Sequence, residues 1–116
     1  MTHRQPPARL LTRTEHDAQV AATMTEAVLL AHVKRLAHDL GWLVYHTRDS
    51  RGSDPGFPDL HLIRGTRILY RELKTAKGRI RPEQAIYIER LTAAAADVAV
   101  WRPTDLIDGT ILETLR

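Results

Sequence analysis

A chain of 116 residues with 43% hydrophobic positions carries enough apolar side chain for one core, and a single domain is expected. It contains no cysteine, which excludes disulfides and thiolate zinc sites and leaves any metal to oxygen or imidazole ligands. The net charge of +3 and a pI near 9.7 form a modest basic excess, which points to a polyanionic partner only where the charges cluster.

Residues 1–22 carry Pro6-Pro7 with Arg4, Arg9 and Arg13 and lack the apolar run of a signal peptide. They are expected to be a poorly ordered N-terminal arm, leaving residues 23–116 as the domain of a soluble, cytoplasmic protein. "TMTEAVLLAHVKRLAHDLG" places Leu29, Val33, Leu36 and Leu40 at helical spacing, with Thr23 or Thr25 as N-cap and Gly41 as the stop. "WLVYH" at 42–46 reads as a short buried strand, and the Gly, Ser, Asp and Pro of residues 47–58 as a loop. "DLHLI" and "RILYRELK" flank "RGTR" as the arms of a hairpin. "RPEQAIYIERLTAAAA" reads as a helix with Pro82 and Glu83 in its first turn and Ile88 and Leu91 facing inward. "DVAVW" at 97–101 is a further buried strand, and "PTDLIDGTILETLR" a terminal helix with Gly109 placed to interrupt it. The order helix, three strands, helix, strand, helix describes a small α/β domain with a mixed sheet.

The hairpin brings two acids together. With Gly65 and Thr66 as the centre of a II′ turn, which prefers glycine first, Arg64 lies opposite Arg67 and, further along, Asp59 lies opposite Glu72. Strand alternation then puts Lys74 on the face of Glu72. Two facing carboxylates destabilise a sheet by up to about 1 kcal/mol. A divalent cation such as Mg²⁺ or Mn²⁺ removes that conflict; so does a salt-bridged surface cluster in which Lys74 neutralises both acids. Nearby, Lys74, Lys77, Arg79 and Arg81 form a basic run, with Arg48 and Arg51 in the preceding loop, which reads either as a phosphate-binding surface or as a solvated face.

Glu26 lies on the core-facing side of the first helix, where Thr23-x-x-Glu26 also matches a capping box. Capping and membership of a site are both open to it. His46 and His61 fall near the acids, as extra ligands or as packed residues. His32 and His38, six apart on a helix, do not share one metal. No P-loop, HExxH, GxSxG or dinucleotide fingerprint occurs.

"PD" at 58–59 followed by "ELK" at 72–74 matches the signature of the PD-(D/E)xK nuclease superfamily, whose core is restriction-endonuclease-like. Together with "GFPDL", "KGR" at 77–79, Gln84 and the helical Glu26, the stretch from about Thr25 to Asp105 resembles the VRR-NUC family of virus-type replication and repair nucleases, which includes small stand-alone bacteriophage proteins. The resemblance implies that Asp59, Glu72 and the main-chain carbonyl of Leu73 hold a catalytic Mg²⁺ or Mn²⁺, with Glu26 completing the site. It further implies that Lys74 orients or activates the attacking water and that Gln84 brings its amide to the site; a Gln84 that only bonds a strand end is the plain alternative. Lys77, Arg79 and Arg81 would then grip phosphates without reading bases. The implied activity is metal-dependent hydrolysis of DNA, with branched DNA the leading substrate class and a symmetric homodimer compatible with it. The alternative is a non-catalytic nucleic-acid-binding module of the same fold.

Overall fold

A computed structural model describes residues 9–47 and 54–116 of the chain. Helices α1 (Arg13–Thr23) and α2 (Glu26–Asp39) precede three strands, β1 (Leu43–His46), β2 (Leu60–Arg64) and β3 (Arg67–Leu73). They are followed by α3 (Pro82–Ala93), β4 (Asp97–Trp101) and the short helices α4 (Pro103–Ile107) and α5 (Thr110–Leu115). The strands form one sheet in the order β1-β2-β3-β4, antiparallel up to β3 and parallel between β3 and β4, with α3 as the crossover. This is the expected α/β architecture with a mixed sheet.

Burial alternates along the hairpin near its turn, as the pleat requires, and gives way at the end of β3, where Arg71, Glu72 and Leu73 are all buried. Leu60, Leu62, Leu69 and Leu73 enter the core, where Leu29, Val33 and Ala37 of α2 and Ile111 and Leu115 of α5 complete it. Arg71 is buried among these apolar side chains. Its guanidinium pairs with Asp97 at 2.8 Å and lies 4.8 Å from the Trp101 ring, so its charge has compensation inside the fold. The opposite face of β3 carries Glu72 and Lys74 and is met by α3.

The hairpin has the expected register. Arg64 pairs with Arg67, Ile63 with Ile68, Leu62 with Leu69, His61 with Tyr70 and Leu60 with Arg71. Gly65 has φ +59 while Thr66 stays out of the left-handed region, the pattern of a II′ turn. Beyond the turn, Arg64 and Arg67 place their guanidiniums 4.6 and 4.9 Å from the Trp42 ring. Arg64 also donates to the Leu40 and Leu115 carbonyls, and Arg67 to those of Thr114 and Arg116. The terminal helix breaks as expected, at Gly109 with φ +89.

Three expectations change. Residues 13–22 of the stretch expected to be an arm belong to α1, which is capped by the Thr12 hydroxyl and packed on α4 with Ala21 buried. The strand expected to be buried, β1, lies at an edge of the sheet, and its Leu43 and Tyr45 are exposed on the face that also leaves Ile63 and Ile68 of the inner strands exposed. The N-cap of α2 is Thr25, which accepts from Val28 N, while Thr23 closes α1 by donating to the Gln19 carbonyl. The Thr23–Glu26 capping box therefore does not form, and Glu26, the first residue of α2, is exposed rather than core-facing. No described helix is long and apolar enough to cross a membrane.

Candidate active site

The acids meet where β2 begins and β3 ends. Asp59 immediately precedes β2, its carbonyl accepting from Thr47 N at 3.1 Å and its Oδ2 from Leu73 N at 3.3 Å. The carboxylate is thus anchored on the strand that carries Glu72. The loop leading to Asp59 is pressed against α3: Gly56 has φ +100, and a β-carbon there would lie 2.4 Å from the Glu83 carbonyl oxygen. Only glycine suits both the torsion and the gap.

Glu72 is only 2% exposed. Its Oε1 accepts from Gln84 Nε2 at 2.9 Å and lies 3.8 Å from Lys74 Nζ. Its Oε2 is buried and has no hydrogen-bond partner among the described residues. Burial and then the neighbouring Asp59 carboxylate push the Glu72 acid up to about 8, while Lys74 opposes the rise. Lys74 is itself buried, and its amide donates to the Trp101 carbonyl, tying the end of β3 to β4.

Gln84 joins both sides of the site. As N3 of α3 its Oε1 accepts from Arg81 N at 2.9 Å, while its amide donates to Glu72. It therefore does more than bond a strand end: it holds the Glu72 carboxylate and the helix start in one geometry. The basic loop between them is fixed from below by Arg102, whose Nη1 donates to the Thr75 and Gly78 carbonyls at 2.7 and 2.8 Å. Lys77, Arg79 and Arg81 are exposed around this loop, and Arg81 pairs with Glu83 at 3.6 Å.

Asp59, Glu72, Lys74, Leu73 and Gln84 are thus brought together. Glu26 is not in hydrogen-bonding contact with them, and no group of three His, Asp or Glu side chains poised to hold a metal occurs among the described residues. Arg48 and Arg51 lie outside the described residues. His61 packs among aromatic rings, where burial lowers its basicity. Sequence reasoning missed Gly56 and Arg102; the "GFP" glycine beside the acid was the available signal for the first, and nothing marked the second.

The donors available to a metal are hard carboxylate oxygens, one of them buried without a proton donor, and this matches the preferences of Mg²⁺ or Mn²⁺. An α/β core with facing Asp and Glu, a lysine two residues on and a glutamine from the crossover helix defines the nuclease-type PD-(D/E)xK class. A family model described as "VRR-NUC domain" matches residues 7–104, and the chain belongs to that family. The match begins well before Thr25, where the resemblance in sequence motifs starts, and so takes in α1. No curated protein and no solved structure shows significant similarity to the chain.

Proposed function

We propose that this nuclease-type domain is a divalent-metal-dependent deoxyribonuclease that selects DNA by structure, with branched or junction DNA as its substrate, in cytoplasmic replication, recombination or repair. The observation that carries the reading is Glu72, a buried carboxylate facing a second acid with one oxygen left without a donor. Buried acids with strongly perturbed protonation cluster at functional sites, and a divalent cation would complete this one.

Asp59, Glu72 and the Leu73 carbonyl would hold Mg²⁺ or Mn²⁺, which when bound shields the phosphodiester and acidifies the attacking water. The remaining tasks fall to the chain itself. Gln84 fixes Oε1 of Glu72 so that Oε2 stays available. Lys74, beside the pair, either accepts the proton of the attacking water or stays charged against the phosphoryl oxygens. Lys77, Arg79 and Arg81 bind flanking phosphates. Glu26 enters as a further ligand on its helical position alone, and a symmetric homodimer would offer two sites to two strands.

Labelled linear, flap, splayed and four-way DNA incubated with Mg²⁺ or Mn²⁺ tests the reading. Cleavage is expected to vanish in chelator and to fall at least a thousandfold, on the order of a lost catalytic group, in Asp59→Ala of unchanged fold. Salt-dependent binding without cleavage of any substrate would instead assign a non-catalytic binding module.

A further inference from the structure

The α3 face of the sheet is organised in rows that the register sets side by side. Leu43, Ile63 and Ile68 align nearest the hairpin turn, and Tyr45, His61 and Tyr70 align next. One two-residue step further, about 7 Å along the strands, lie the paired acids. The middle row is aromatic throughout. Tyr45 stacks on His61 with centroids 5.3 Å apart and planes at 18°. Phe57 meets His61 edge-on at 4.9 Å and Tyr87 at 5.3 Å. Tyr45, Phe57 and Tyr87 line a cleft of ≈ 500 Å³ that also contains Asp59, Gln84 and Arg81.

Tyr45 is 59% exposed and Phe57 40% exposed, both at the mouth of the cleft that holds Asp59. We propose that the rings of Tyr45, His61 and Phe57 form a stacking subsite for an unpaired nucleobase, so that the preferred substrate carries single-stranded nucleotide next to the scissile phosphate. The proposal deepens the nuclease reading and rests on it for the chemistry, though the stacking residues are not those that would hold the metal.

Three features support this occupant. Tyr45 lies nearly parallel to His61 and leaves most of its own surface open, so a base would continue an existing stack. Phe57 and Tyr70 meet the imidazole edge-on and hold it as the fixed inner ring of that stack. Arg81 lines the same cleft and supplies positive charge for the nucleotide's phosphate. Inside a duplex each base is already stacked on both sides and offers no free face, so the row discriminates in favour of unpaired nucleotides.

The experiment uses the full chain with Ca²⁺ in place of Mg²⁺ and two probes, a single-stranded oligonucleotide and a blunt duplex of equal length, each with one 2-aminopurine. Quenching of the single-stranded probe is expected with the wild-type protein. Tyr45→Ala should weaken single-strand binding about five- to 150-fold, the range for losing one stacked base, with duplex binding much less affected. Tyr45→Trp should restore it. Absence of quenching in the wild type overturns the proposal whether or not the variants fold. So does an equal loss on both probes accompanied by a lowered melting temperature, which marks a purely structural ring. Failure of Tyr45→Ala to dimerise, without quenching in the wild type, would assign the patch to a second copy and also overturn it. Mg²⁺-dependent cleavage separates the two readings: cleavage without quenching removes the subsite alone, and quenching without cleavage of any substrate removes the nuclease reading while leaving the base-binding row.

Discussion

Replacing Glu72 by glutamine should stabilise the metal-free protein, and only above mildly acidic pH. In the fold, burial and Asp59 raise this acid from its ordinary 4.5 to about 8. The folded state therefore binds the proton more tightly than the unfolded chain does. Below about 4.5 both states are protonated and the group costs nothing. As pH rises through the window from 4.5 to 8, unfolded chains give up the proton while folded ones keep it, so stability falls with pH and the full cost is reached above about 8. At 1.36 kcal/mol per pH unit the window corresponds to roughly 5 kcal/mol, an order-of-magnitude value. Glu72→Gln keeps an oxygen to accept from Gln84 and removes the charge that faces Asp59. Urea unfolding in chelator, at steps between pH 5 and pH 9, measures the difference between variant and wild type. The variant's advantage should grow by several kcal/mol across the series. Mg²⁺ should narrow it at high pH by stabilising the wild type, as a ligand of the folded state does. An advantage that stays constant with pH would refute the reasoning, because it would mean that Glu72 and the unfolded chain release their protons together.

Other perturbations probe the surroundings of the acids. Gly56→Ala should cost about 2 kcal/mol or more, since the added carbon meets the Glu83 carbonyl at 2.4 Å on a backbone with φ +100; a melting temperature equal to wild type would show that the loop yields freely. Lys77→Ala and Arg79→Ala should weaken DNA binding irrespective of sequence and flatten its salt dependence by about one unit for each phosphate no longer neutralised, read from affinity at several ionic strengths. Glu26→Gln should raise the Mg²⁺ concentration needed for half-maximal cleavage at unchanged stability, and a titration that overlays the wild type would leave Glu26 as an exposed first-turn residue.

The hairpin was legible because its controlling features are local. A glycine able to take φ +59 sets the turn, the turn sets the register, and the pleat then places Asp59, Glu72 and Lys74. What failed to show in the sequence depends on contacts between distant segments. The stretch "RTEHDAQVAAT" buries only Ala21, so its helix owes little to an apolar stripe and much to the Thr12 cap and to packing on α4. The apolar, β-prone run of β1 marks a strand but carries no information about which face of the sheet stays open, so the exposure of Leu43 and Tyr45 does not show in it. For Glu26 the difference comes down to two residues: Thr23 and Thr25 are equally good caps in isolation, and the choice depends on α1 ending at Thr23. Gln84 stands out in the sequence, yet its double attachment to Arg81 and Glu72 follows from how closely α3 crosses the strand end.

The arginines that bracket the hairpin turn give the acids a remote guardian. Sliding β2 past β3 by one residue would carry Asp59 to the opposite face of the sheet. The same slip would drag Arg64 or Arg67 off the Trp42 ring and away from the carbonyls that close α5. Helix α5 has six residues, too few to persist without such partners. The hairpin thus behaves as a ruler clamped at its far end, with about 17 Å of strand between the clamp and the mark that matters. Alignment of the carboxylates is inherited from that clamp, so the last helix, which touches none of the chemistry, belongs to the site's mechanical tolerance as much as the residues beside it.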